Sequence, residues 1–167
     1  DYSKNKWMIM TRTNKMLEPL KDFFEDKGYY YGSKKGNNLV NTDILQAIDT
    51  WKKLNAGQLI PAKLAQKMYG FMSVKGKNLK RNFGKGDSFR PVIEDLINIE
   101  DLRNDHGLLA TGSWEQALDK INDRKRYFIK AMESNGEDTS PESEPRITLS
   151  TIHGSKGDER ENTVLML

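Results

Sequence analysis

The period of the apolar positions changes along the chain. Trp7-Met8-Ile9-Met10 is a short continuous apolar run, the pattern of a buried strand. Met16, Leu17, Leu20, Phe23 and Phe24 then recur at helical spacing, and Thr13 or Asn14 can cap that helix. Pro19 lacks a backbone donor and is tolerated only in a first turn, which moves the expected start towards Glu18. Gly28 supplies the stop, and Tyr29-Tyr30-Tyr31 reads as a second short strand closed by Gly32. Strand, helix and strand with tight connections is the grammar of a parallel sheet.

From Asn41 the period is helical. Ile44, Leu45, Ile48, Trp51 and Leu54 form one face, with Thr42 or Asp43 as cap and Gly57 as stop. Pro61 to Met72 is a second helix, Phe89 to Ile97 a short third, and Trp114 to Met132, capped by Ser113, the longest. This middle region carries no strand signal, and its aromatics at helical spacing read as core. Ser134 to Pro145 has no apolar residue and is rich in Gly, Pro, Ser, Asp and Glu, so it reads as a linker or disordered loop. Alternation resumes at Ile147, Leu149 and Thr151, and Thr163 to Leu167 is a second apolar run expected to be buried. The expected architecture is α/β: a parallel sheet built from 1–40 and 146–167, a mainly α-helical inserted subdomain over 41–134, and a flexible acidic linker over 135–145.

Composition narrows the class. With 36% hydrophobic and 31% charged residues the core must be modest and the surface heavily solvated. No window approaches the roughly eighteen consecutive apolar residues of a spanning helix, and the polar start from Asp1 to Lys6 predicts no secretory signal. The absence of cysteine rules out a disulfide framework and a thiolate metal site. A cytoplasmic location fits, without a membrane partner. The net charge of +3 says little, but its distribution says more. Lys75, Lys77, Lys80, Arg81, Lys85 and Arg90 cluster against the single acid Asp87, whereas Glu133 to Glu144 is purely acidic. The basic stretch reads either as a mobile solvated loop or as a contact for nucleic-acid phosphates.

Chemistry concentrates in Thr151-Ile152-His153-Gly154-Ser155-Lys156-Gly157-Asp158-Glu159. A strand ends there in a loop with glycines, a lysine, hydroxyls and an imidazole, groups suited to phosphate oxygens. The carboxyl end of a parallel strand is where open α/β sheets place ligands. The segment is not a Walker A loop, because the lysine precedes the second glycine and no Ser or Thr follows. By its chemistry alone it is an ordinary turn as readily as an anion site.

Thr151-x-His153-x-x-Lys156-Gly157-x-Glu159 after a strand resembles motif V of UvrD/Rep-type superfamily 1 DNA helicases at every fixed position. The run from Ser150 to Leu167 is similar to the variant of phage and bacterial members. Met10-Thr11-Arg12-Thr13-Asn14, between a strand and a helix, resembles motif IV of the same family. The resemblance implies the second RecA-like (2A-type) domain, its parallel sheet partial, with the helical middle as a 2B-type insertion. It implies ATP and Mg²⁺ as cofactors of the parent protein, none bound to this segment, with single-stranded or forked DNA and the first RecA-like domain of the same parent as partners. Arg12 matches the arginine that reaches the γ-phosphate, a role suited to a planar, permanently charged group and the one catalytic position the resemblance assigns. Gly157 and Glu159 match nucleotide-side positions, and Thr151, His153 and Lys156 match the part facing single-stranded DNA. Lys75, Lys77, Lys80 and Arg81 are further candidate DNA contacts. Thr11 stands where several members have a tyrosine that stacks on adenine, and Asp158 and Arg160 depart from the commoner Leu and Phe or Ala.

The chain has no Walker A loop, no Asp-Glu metal pair and no motif VI after Leu167, so ATP hydrolysis is expected of the parent, an ATP-dependent helicase, and not of this segment alone. Two rival readings remain: a non-catalytic nucleic-acid-binding module derived from a helicase, and a protein-interaction domain in which the loop residues are incidental.

Overall fold

The computed structural model describes residues 6–33, 38–83 and 96–167. In chain order its elements are β1 (Trp7–Thr11), α1 (Glu18–Lys27), β2 (Tyr31–Ser33), α2 (Thr42–Asn55), β3 (Ile60–Pro61), α3 (Ala62–Tyr69), β4 (Leu96–Ile97), α4 (Ile99–Asn104), α5 (Trp114–Ala117), α6 (Asp123–Ser134), β5 (Ile147–Thr151) and β6 (Asn162–Met166). Two compact units divide the chain: Asp1–Val40 with Tyr127–Leu167, and Asn41–Arg126. No helix among the described residues is long and apolar enough to cross a membrane.

The first unit is built on a four-stranded sheet of order β2-β5-β1-β6 in which every pairing is parallel. The chain is therefore mixed α/β. β1 and β2 do not touch as neighbours; β5, far away in sequence, lies between them. Pro19 sits in the first turn of α1, after a 3-10 turn at Asn14–Leu17 that ends the strand connection. Gly28 closes α1 with φ 67°, and Tyr29 N–H donates back to Phe24 O at 2.9 Å. Gly28 has a second reason to lack a side chain, since a Cβ there would collide with the backbone of Ala131 on α6. The return of the chain over Tyr29 and Tyr30 delays β2, which runs Tyr31–Ser33 rather than starting at Tyr29. Phe128 of α6 packs on Tyr31 with ring centroids 5.8 Å apart, and the second segment of the first unit begins at Tyr127, where 146 was expected from composition.

Two further expectations for this unit change. Segment 135–145, read as a flexible linker, is irregular but tied: Ser140 N–H donates to Asp138 Oδ1 at 2.8 Å, and Ser143 Oγ donates to Ser140 O at 2.7 Å. Arg146 grips Glu137 through Nε at 3.0 Å and Nη2 at 2.7 Å, while its guanidinium lies 5.4 Å from the centre of the Tyr29 ring. The run expected to be buried at Thr163–Leu167 forms β6, but Val164, Leu165 and Met166 are 37%, 50% and 41% exposed. A parallel strand needs cover on both faces, and the described residues leave β6 half open because it pairs only with β1 at the end of the sheet.

The second unit is helical around Trp51, Leu54, Met68, Leu102 and Leu118, all essentially inaccessible. Asn41 caps α2 by accepting from Ile44 N–H at 3.1 Å, and the Trp51 indole donates to Gly112 O at 3.2 Å. The expectation of no strands fails on a small scale: β3 and β4 pair antiparallel over two residues each, too short for alternation to show. Of the helix expected over Phe89–Ile97, residues 89–95 lie outside the described residues and Leu96–Ile97 is strand. The helix there is α4, capped reciprocally by Asn98 and Asp101. The single long helix expected from Trp114 to Met132 is two. Leu118 leaves helical geometry at ψ 57°, and Asn122 Oδ1 accepts Lys125 N–H at 3.0 Å to start α6 afresh. The broken stretch points Leu118 and Ile121 into the core and leaves Asp119 to serve another loop.

Candidate functional site

The loops leaving β1 and β5 are neighbours. Thr11 and Thr151 are register partners at the carboxyl ends of adjacent parallel strands, and Ile152 N–H donates to Thr11 O at 2.9 Å. Arg12 therefore begins one loop beside the start of the other. Thr11 is fully buried, and its hydroxyl donates to Thr13 O at 2.8 Å, so its side chain is consumed in shaping the β1 exit. Arg12 is exposed and pairs with no carboxylate among the described residues.

The 152–157 loop is a string of turns held from beneath by Ser155. Its hydroxyl is buried, donates to Ile152 O at 3.0 Å and contacts Met10 Sδ at 2.7 Å, while its N–H donates to Thr151 O at 3.0 Å. Gly154 N–H donates to Thr151 Oγ1 at 3.2 Å, and a Cβ at Gly154 would press on Ser150 Oγ at 3.0 Å. With Ser155 tied inward, His153, Lys156 and Glu159 are left exposed. Gly157 has φ 85°, a left-handed geometry costly to a residue with a side chain, and the space above its Cα is open. The resulting surface has a cation, an imidazole and an unhindered backbone facing outward.

Under these loops lies a cavity of about 160 Å³ lined by Asn14, Leu17, Ser33, Ser150, Thr151 and Gly154 among others. That is smaller than the roughly 300–1,000 Å³ of a small-molecule site, so this cavity by itself does not enclose a nucleotide. What the two loops offer a phosphate-bearing ligand is narrower: one exposed arginine, Arg12, and one exposed lysine, Lys156, beside the open backbone at Gly157. No group of His, Asp and Glu among the described residues is arranged to hold a metal ion.

The second unit carries the remaining candidates. Lys75, Lys77, Lys80 and Arg81 are all exposed, and Lys85 and Arg90 lie outside the described residues. The stretch read as a mobile loop is anchored. Ser73 donates to the Asp119 carboxylate from its N–H at 2.8 Å and its hydroxyl at 2.5 Å, and Lys80 N–H donates to Gly107 O at 2.9 Å. Burial alone would raise the Asp119 carboxyl, but hydrogen bonds from the Ser73 hydroxyl, the Asn78 side chain and the Ser73 N–H outweigh it and hold the group below its ordinary value. Sequence reasoning missed Ser155, Ser73 and Asp119. For Ser73 a signal was present, since Gly76 N–H donates to Ser73 Oγ at 2.8 Å in the hydroxyl turn that Ser followed by Gly permits. Nothing local marks Asp119.

A mixed α/β unit with paired loops at the carboxyl edge of a parallel sheet is a ligand-binding class of architecture, not one activity. No protein-family model matches the chain, and no curated protein or solved structure does either.

Proposed function

We propose that the chain is part of an ATP-dependent DNA helicase of the UvrD/Rep type, supplying the second RecA-like domain and a 2B-type helical insertion. The observation that carries this reading is the direct register of Thr11 with Thr151. Two segments about 140 residues apart, each resembling a helicase motif by itself, leave the same sheet edge side by side, as a shared ligand would require. In the parent, ATP supplies the phosphoanhydride, with Arg12 at the γ-phosphate and Glu159 on the ribose side. Thr151, His153 and Lys156 bind the DNA strand, and Lys75, Lys77, Lys80 and Arg81 add phosphate contacts from the insertion. Gly157 leaves room for close approach of the ligand to the backbone. The mechanism asks of Arg12 only electrostatic stabilisation of phosphoryl charge. Hydrolysis belongs to the parent, because a phosphate cradle and Mg²⁺ ligands are needed as well.

The test is binding of a single-stranded oligonucleotide to the chain, with and without replacement of His153 and Lys156 by alanine. Salt-sensitive binding that weakens in the double variant supports the reading. Binding indifferent to both residues removes the DNA role of the loop and favours a protein-interaction domain.

A further inference from the structure

The loop from Ser73 to Lys80 is closed at both ends onto 107–119. Beyond the Ser73–Asp119 bonds, Asn78 O accepts Leu109 N–H at 2.9 Å and Ala110 N–H at 3.0 Å, and Asn78 Nδ2 donates to Gln116 O at 3.2 Å. Asn78 and Leu79 turn inward, whereas Lys75, Lys77 and Lys80 turn outward. Lys77 has φ 59°, the sole left-handed non-glycine among the described residues, a conformation that persists only where surroundings impose it. The charges of the loop are also uncommitted. Lys53, Lys67, Arg103 and Arg126 each pair with a carboxylate, while Lys75, Lys77, Lys80 and Arg81 pair with none among the described residues.

We infer that Ser73–Lys80 is a preorganised grip for nucleic-acid phosphates and that Asp119 is its positioning residue. This deepens the nucleic-acid reading above and rests on it. The Asp119 carboxylate takes the inward donors of Ser73 and sits against Gly76, where an added Cβ would collide with it. The loop's own anion site is thus filled from within. An external phosphate meets the lysine ammonium groups and not the backbone. Outward-facing Lys75, Gly76, Lys77 and Lys80 offer no apolar centre, which a protein partner would need and phosphate contact does not.

The experiment measures oligonucleotide affinity against salt for the full chain and three variants. Each single-strand phosphate contact contributes about 0.7 to the slope of log affinity on log salt. Lys75→Gln with Lys77→Gln should lower the slope by about 1.4, roughly a sevenfold smaller loss between 50 and 200 mM salt. Gly76→Ala displaces the Asp119 carboxylate while leaving every charge in place, and should lower the slope by a similar amount. Asp119→Ala gives the sharpest reading. Acting only through its charge, Asp119 would repel phosphate, and its removal would tighten binding. As a positioning residue, its removal weakens binding and lowers the slope, with little added by the lysine changes. Thermal melting checks that each variant folds, and Gly76→Ala carries the test if Asp119→Ala does not. Undiminished slope and affinity in both latch variants overturn the inference and leave the helicase reading standing. A wild-type chain that binds an acidic peptide but no oligonucleotide overturns the nucleic-acid reading itself.

Discussion

Alanine at Gly157 separates two reasons for a glycine in the 152–159 loop. At φ 85°, with no atom within 4 Å of where a Cβ would lie, the substitution meets no steric obstacle inside the protein. Its cost is backbone strain alone, about 1–2 kcal/mol for an L residue held left-handed. At a urea dependence of about 1–3 kcal/mol per M, the unfolding midpoint should fall by about 0.3–2 M. That strain is present with and without ligand, so by itself it leaves affinity unchanged. A ligand lying over the open side of Gly157 would meet the new methyl, and oligonucleotide or nucleotide affinity should then drop tenfold or more, about 1.4 kcal/mol. Gly154→Ala is the control: its Cβ presses on Ser150 Oγ and Thr151 Oγ1, at 3.0 and 3.2 Å, beneath the loop. It should cost stability with affinity retained. A Gly157→Ala protein that binds like wild type refutes close approach at this residue. An unchanged midpoint refutes the requirement for left-handed backbone.

Three further outcomes follow from the geometry. Lys77→Gly should relieve the left-handed strain at φ 59° and raise stability by up to about 1 kcal/mol, while weakening oligonucleotide binding; a variant less stable than wild type contradicts the strain. Asp119 is depressed from its unfolded value of 3.8, so its contribution is complete above that value and is lost as pH falls through the lower folded value. The stability gap between wild type and Asp119→Asn should therefore close in acid, and chemical denaturation between pH 7 and pH 2.5 that shows it widening contradicts the assignment. In a protein joining this chain to a Walker A domain, Arg12→Ala should lower ATPase turnover by about 10³-fold with the melting temperature unchanged, because the exposed Arg12 makes no ion pair among the described residues; a normal rate removes Arg12 from the nucleotide site.

The parts legible in the sequence are those whose signal is local. The Glu18 start of α1 follows from Pro19, its Gly28 stop from the need for positive φ, and α2 from a clean apolar stripe, although its cap is Asn41 and not the expected Thr42 or Asp43. The strand before the 152–157 loop was readable from the alternation of Ile147, Leu149 and Thr151. The α4 cap at Asn98 and Asp101 was equally local but stood beside a stronger apolar pattern that drew the expected helix upstream. The misjudged elements are those decided elsewhere in the chain. The stretch 114–132 keeps helical spacing throughout, yet it breaks at Leu118 where burial and the Ser73–Asp119 bonds favour another path. Likewise, Glu137 looks like one acid in a solvated run until Arg146 closes on it.

Taken alone, the sequence determined the strands of the parallel sheet, the principal helices α1 and α2, the mixed α/β character and the chemical inventory of the two candidate loops, because periodicity, capping and turn chemistry act over a few residues. Tertiary structure alone decided that β5 inserts between β2 and β1, that Thr11 meets Thr151, and that the basic loop is latched by Asp119. Strand order and side-chain latches join residues far apart in the chain. Their free energy comes from hydrogen bonds and burial gained only on closing long loops, an entropy cost that no local pattern records.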